Sequence, residues 1–156
     1  MRKLSDLVRI SPDSKNPDII GITADSRKVK PGWLFFAVKG KLADGHDYIE
    51  KAIAQGASAI IGERRMDNLP VPYFAVDNIR QQMAIIASKF YLIKPAKIAV
   101  VTGTNGKTST ADFTRQLWKL DNYQAASIGT LGFISDSINL KLEADNTTPD
   151  PITLHE

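Results

Sequence analysis

Val100-Val101-Thr102-Gly103-Thr104-Asn105-Gly106-Lys107-Thr108-Ser109-Thr110 constrains this chain more than any other stretch. Ahead of it, Lys97-Ile98-Ala99-Val100-Val101 is short, apolar and β-branched, the pattern of a buried parallel strand. Behind it, Phe113, Leu117 and Leu120 recur at helical spacing, with Trp118 beside them. Strand, glycine turn, Lys-Thr and helix is the layout of a phosphate-binding loop. Glycines let backbone amides approach an anion, and the helix N-terminus adds partial positive charge. In that layout Lys107 reaches the terminal phosphates and the Thr108 hydroxyl sits on a magnesium ion.

The commonest phosphate-loop pattern, Gly-x-x-x-x-Gly-Lys-Ser/Thr, would place its first glycine where this chain has Val101. The turn is instead the tighter Gly103-Thr104-Asn105-Gly106. An ordinary βα turn is the competing reading, because glycines commonly follow strands.

The segment before this loop alternates strands and helices. Leu4, Leu7 and Val8 give a short helical face, broken by Asp13, Asn16 and Pro17. Ile19 to Ala24 reads as a strand ending at Asp25-Ser26-Arg27, and Trp33 to Val38 as a nearly continuous apolar strand. A polar loop from Lys39 to Asp47 leads to a helix with Ile49, Ala52 and Ile53 on one face, stopping at Gly56. Strands at Ala59-Ile60-Ile61 and Tyr73-Phe74-Ala75-Val76 follow. Asp77 or Asn78 then caps a helix whose apolar face is Ile79, Met83, Ile86 and Phe90. This predicts a small α/β domain over residues 1–94, closed at Lys94-Pro95.

Residues 95–156 read as the start of a second α/β domain. Lys97–Val101 and Gln124–Thr130 are its first two parallel strands, residues 132–143 a hairpin, and Ile152–Glu156 a first helical turn after the rigid Asn146-Thr147-Thr148-Pro149-Asp150-Pro151 loop. With so few strands, the expectation is a chain that stops early in its second domain.

Several function classes are excluded by composition. There are no cysteines, hence no disulfide framework and no thiolate metal site. No apolar run approaches about 18 residues, and no signal peptide is recognisable, so the expectation is a cytoplasmic protein without a membrane span. The net charge of +3 is spread along the chain, with no basic stripe interleaved with aromatics, which argues against nucleic acid as a partner.

Thr-Gly-Thr-Asn-Gly-Lys-Thr-Ser resembles the ATP-binding loop of the Mur ligases, the amide-forming enzymes of peptidoglycan precursor synthesis, and of their folylpolyglutamate synthetase relatives. Asp25-Ser26-Arg27, then Pro31-Gly32-Trp33-Leu34-Phe35-Phe36-Ala37 and Gly40-Lys41-Leu42-Ala43-Asp44-Gly45-His46, resemble the N-terminal UDP-binding module of the muramyl ligases. Asn146-Thr147-Thr148-Pro149 resembles the loop of the MurE-type branch, which adds the third residue of the stem peptide. MurF-type ligases share the first string but usually lack the last.

The resemblance implies a small UDP-binding α/β domain followed by the beginning of a phosphate-loop central domain. It implies an ATP- and magnesium-dependent, monomeric ligase that joins meso-diaminopimelate or L-lysine to UDP-MurNAc-L-Ala-D-Glu through an acyl-phosphate. Diaminopimelate is the default choice. Ala24 and Ser26 fall where the family holds uridine, and Lys41, Leu42 and Ala43 on the loop beside ribose and pyrophosphate, where some relatives carry His-Gln-Ala. Gly103, Thr104, Asn105, Gly106, Lys107, Thr108 and Ser109 match the ATP loop. Lys107 and Thr108 are its catalytic pair, and Thr108 is the metal contact. Asn146, Thr147 and Thr148 match the loop that holds the muramyl-dipeptide.

Plainer readings stand beside these. Asp25-Ser26-Arg27 also suits a strand-end turn, and Thr148 a helix cap. His46 reads as solvated, and Trp33 and Phe36 as core. A binding module for UDP-linked muramyl precursors, without catalysis, is the alternative to an enzyme.

Overall fold

Trp33-Leu34-Phe35-Phe36-Ala37 is apolar at every position because both faces of its strand are covered. The computed structural model describes residues 1–40, 43–137 and 149–156. By internal contacts the chain forms two units: Met1–Lys94 together with Pro151–Glu156, and Pro95–Asp150.

In the first unit, β1 (Arg2–Lys3) pairs antiparallel with β2 (Asp18–Ile19), and α1 (Leu4–Leu7) lies between them in sequence. A four-stranded, all-parallel sheet follows in simple chain order: β3 (Gly21–Thr23), β4 (Trp33–Ala37), β5 (Ala57–Gly62) and β6 (Tyr73–Ala75). The helices are α2 (Ile49–Ala54) and α3 (Ile79–Phe90). Alternate residues of β4 and β5 divide between two apolar clusters. Leu34, Phe36, Ala59 and Ile61 pack with Leu4 and Leu7 of α1 and Ile79, Met83 and Ile86 of α3. Phe35, Ala37 and Ile60 pack with Ile49 and Ala52 of α2. A strand buried on both faces needs no polar alternation, which explains the continuous run. Each fully buried side chain of this size contributes about 1.5–3 kcal/mol.

Helix boundaries have local causes. Asn78 accepts a hydrogen bond from Gln81 N–H at 2.9 Å, and Glu63 Oε1 accepts one from Ile79 N–H at 3.1 Å, so two amides at the start of α3 are satisfied. The apolar face expected for α3 is the buried one, and Phe90 packs at its margin.

The second unit contains α4 (Lys107–Leu120), β7 (Ala126–Gly129) and β8 (Gly132–Ser135). Three expectations need correction here. Lys97–Val101 forms no strand: Ile98 and Val100 are 72% and 88% exposed, and no described strand lies beside them to complete a ladder. The strand within Gln124–Thr130 pairs antiparallel with β8, with Ile128 opposite Phe133, because only Thr130 and Leu131 separate the two and a parallel partner would need a crossover. The hairpin therefore spans Ala126–Ser135, whereas the 132–143 segment extends into undescribed residues. Finally, α5 (Pro151–His155) forms where a first turn is expected, but Ile152 joins the core of the first unit. By internal contacts residues 151–156 group with Met1–Lys94. Among the described residues, no helix is long and apolar enough to cross a membrane.

Candidate functional site

A parallel sheet presents the ends of all its strands at one edge, where helix-free loops can meet a ligand. At that edge β3 ends in Thr23 and β4 in Ala37, with β5 ending in Gly62 beside it. The turn after β3 carries Ala24, Asp25 and Ser26, and the loop after β4 carries Gly40 and Ala43. Adjacent parallel strands therefore bring the Ala24/Ser26 pair and Ala43 to the same edge.

The first turn is built by its own side chains. Thr23 Oγ1 accepts from Asp25 N–H at 3.0 Å, and Asp25 Oδ1 accepts from Arg27 N–H at 2.9 Å. The Arg27 guanidinium also grips both carboxylate oxygens, at 2.8 Å for the closest ion pair. Arg27 holds the Asp25 carboxyl below its ordinary range, against a smaller opposing effect of burial. Ser26 is buried, whereas Ala24 is exposed. The turn reading of Asp25-Ser26-Arg27 is thus realised in the geometry, and the geometry leaves Ala24 accessible for a ligand.

The second loop closes on itself through Gly40 N–H to Ala43 O and Gly45 N–H to Val38 O, both 2.9 Å. Ala43 is exposed. Lys41 and Leu42 lie outside the described residues, as do Asn146, Thr147 and Thr148.

His46 differs from its sequence reading. It is buried, only 8% exposed, with Nδ1 2.7 Å from Asp44 Oδ1 and Nε2 accepting from the amides of Glu63 and Arg64. The backbone and side-chain hydrogen bonds from His46 hold the Asp44 carboxyl below its ordinary range. The missed signal is Asp-Gly-His itself: an aspartate two residues before an amide folds back on it, as Asp44 does on His46 N–H at 3.0 Å.

In the second unit, Gly103 (φ +146°) and Gly106 (φ +75°) adopt backbone conformations that favour glycine, and α4 starts directly afterwards. The first helical bond runs from Thr110 N–H to Gly106 O at 2.9 Å. The amides of Lys107, Thr108 and Ser109 thus precede the helical ladder and suit an anion. Lys107 Nζ donates to Gly103 O at 2.7 Å and Thr104 O at 3.2 Å, so its ammonium is held over the loop. Thr108 is half-buried beside it, while Thr104, Asn105 and Ser109 are exposed. The loop therefore gathers Gly103 to Ser109, and its donor set fits a polyphosphate. Arg115, on the same helix, pairs with Asp112 at 2.9 Å and Asp136 at 3.0 Å, and Arg115 and Gln116 hold the Asp112 carboxyl below its ordinary range.

Two family models match the chain: the Mur ligase family catalytic domain over residues 18–91, and the Mur ligase middle domain over residues 101–156. Among curated relatives, the UDP-N-acetylmuramoyl-L-alanyl-D-glutamate–2,6-diaminopimelate ligase of Bradyrhizobium diazoefficiens is 45% identical over 98% of this chain and 32% of its own length. That of Rhizobium meliloti is 45% identical over 95% of this chain and 30% of its own. The chain spans about a third of the length of these relatives. A solved ligase of the same name superposes with a TM-score of 0.80 at 26% identity, over 99% of this chain and 32% of that one. MurF ligase from Thermotoga maritima in complex with ADP gives 0.55 at 36% identity, over 66% of this chain and 23% of that one.

Proposed function

Because the chain belongs to the Mur ligase family, we propose that it supplies the UDP-binding unit and the ATP loop of a ligase that extends UDP-MurNAc-L-Ala-D-Glu with diaminopimelate. The observation that carries this reading is the extent of the likeness: 45% identity over 98% of the chain to relatives bearing that name. The MurF likeness covers only 66% of the chain, which favours the diaminopimelate branch; L-lysine is the alternative amino acid of this proposal.

The geometry suits the division of labour. Ala24, Ser26 and Ala43, at the sheet edge, take the uridine diphosphate end of the precursor; the family resemblance assigns Lys41 and Leu42 to that same end and Asn146, Thr147 and Thr148 to the muramyl-dipeptide. The relative solved with ADP supports a nucleotide on Gly103–Ser109. There the amides of Lys107, Thr108 and Ser109, free of the helical ladder, would bind phosphate oxygens. Lys107, held at the Gly103 and Thr104 carbonyls, would neutralise the terminal phosphates, and Thr108 would offer its hydroxyl to magnesium. When bound, ATP would supply the γ-phosphoryl group that activates the precursor carboxylate, leaving ADP, magnesium would neutralise phosphate charge, and attack by the incoming amine would release the phosphate. The chain's own contribution is positioning and neutralisation of developing charge.

Titrating the isotope-labelled chain with UDP, and separately with ATP and magnesium, tests the reading. UDP is expected to shift resonances of Ala24, Ser26 and Ala43, and ATP those of Gly103 to Ser109. UDP shifts confined to the Lys107 region would overturn it. In the full-length ligase, tripeptide product measured by mass spectrometry tests the reaction itself.

A further inference from the structure

Three polar side chains are buried among the described residues: Thr23, Ser26 and His46. The first ends β3 and the second lies in the turn that follows it. His46 is left without a part in the proposed chemistry, yet it is the most heavily bonded of the three.

Its hydrogen bonds fix its tautomer. The amides of Glu63 and Arg64 can only donate, and both point at Nε2, at 3.1 and 3.3 Å. Nε2 is therefore the bare nitrogen, and the proton sits on Nδ1, where the Asp44 carboxylate accepts it at 2.7 Å. The second oxygen of Asp44 takes the Arg64 guanidinium at 2.5 Å, and the Tyr73 hydroxyl donates to the Arg64 carbonyl. Gly62 leaves the space for this arrangement: a Cβ there would come within 2.7 Å of Nε2.

The imidazole thus ties two elements together. Asp44 belongs to the loop after β4, and Glu63 and Arg64 continue β5. The loop leaves at Val38 and returns at Gly45 through hydrogen bonds of 2.9 Å, and His46 anchors the returning arm to the neighbouring strand. We propose that His46 is a positioning residue for nucleotide recognition, pinning the arm Ala43–Gly45 to the end of β5 so that this arm, exposed at Ala43, is preset for the diphosphate of a uridine nucleotide. This rests on the reading that the sheet edge binds such a nucleotide.

Two substitutions separate the two halves of the clamp. His46→Gln keeps an acceptor within reach of the Glu63 and Arg64 amides but loses the donor to Asp44; His46→Asn does the reverse. Each is expected to weaken UDP binding about tenfold, the effect of one lost charge-assisted or paired buried hydrogen bond, with ATP binding unchanged. Amide exchange at Gly40 and Gly45 should rise in step, while that of β4 stays put. Nitrogen-resolved imidazole spectra of the unsubstituted chain should show the Nδ1–H tautomer, a readout that needs no variant to fold. UDP affinity within twofold of the parent in both variants, or an Nε2–H tautomer, overturns the proposal. If the parent chain fails to bind UDP, the nucleotide reading falls on its own. Unchanged exchange at Gly40 and Gly45 in the variants would then overturn the clamp as well.

Discussion

Phe36 and Phe113 both sit in stretches whose apolar residues recur in register, and the structure treats them oppositely. Phe36 is fully buried between β4's neighbours and α3, while Phe113 is 63% exposed on α4, in line with Leu117 and Leu120. The first unit has helices on both faces of its sheet, so every apolar position in β4 finds a partner. In the second unit no residue of α4 is buried, and the helix packs against β7 of a two-stranded hairpin. Periodicity therefore reports which face can be buried. Whether it is buried depends on a second layer being present.

The sharpest way to break this comparison is to remove the two rings. Phe36→Ala leaves a cavity and is expected to cost about 3–5 kcal/mol of the first unit's stability. Phe113→Ala removes an exposed side chain and is expected to change stability by no more than about 0.5 kcal/mol. Denaturant unfolding followed by Trp33 fluorescence for the first unit, and by α4 amide signals for the second, measures both. Equal losses would mean that α4 is covered in solution.

The next largest effect is confined to the second unit. Lys107→Ala removes a charge-assisted phosphate contact, expected to cost about 1.5–3 kcal/mol of ATP affinity, or about 10- to 150-fold. UDP affinity should not move. Calorimetric titration of both nucleotides reads the two units separately, and a loss of UDP binding of the same size would erase the division between them.

What the sequence made legible follows the same contrast. In the first unit the β4 run, the α3 face and the Asn78 cap are local patterns whose partners lie within the same unit, and they fold as read. The phosphate turn was legible because glycine spacing and Lys-Thr are local chemistry, seen in the positive φ values of Gly103 and Gly106. Lys97–Val101 was not, since a strand exists only with a neighbour to complete its ladder. Pairing of Ala126–Gly129 was set by the two-residue turn at Thr130-Leu131, a signal outweighed in the sequence by the expectation of a parallel sheet. His46 was misread because its burial comes from β5, well away in sequence, although its Asp44 partner is two residues off.

Helix starts sharpen the comparison at a smaller scale. Asn78→Ala removes the side-chain cap of α3 and is expected to cost the first unit about 1 kcal/mol. The position preceding α4 is Gly106, which offers no side-chain cap, so the Lys107, Thr108 and Ser109 amides are left for a ligand. Saturating ATP should therefore stabilise α4 and leave α3 unaffected, as seen by amide exchange with and without nucleotide. Protection of α3 by ATP would contradict it.

Acid should produce the smallest effect, and in both units. Asp25 and Asp44 in the first unit and Asp112 in the second all have carboxyls held below the ordinary 3.8, by Arg27, His46 and Arg115 respectively. A carboxyl whose folded value is lowered favours the folded state above the unfolded value. That contribution is lost as pH falls through the folded value and protonation removes the acceptor charge. Stability should thus be flat from neutrality down to about pH 4–5, the region of unfolded carboxylates, and decline below it. The three side chains are partly covered but still reach solvent, so added salt should blunt part of the Coulombic share of the decline. In the first unit the decline should appear as a lower midpoint of one cooperative transition, because its core holds the turns at Asp25 and Asp44 together. In the second it should appear as fraying of α4 around Asp112 and Arg115 with no shared transition. Thermal melts and α4 amide exchange between pH 3 and pH 7 distinguish the two, and stability that rises on acidification would reverse the sign assigned to all three carboxylates.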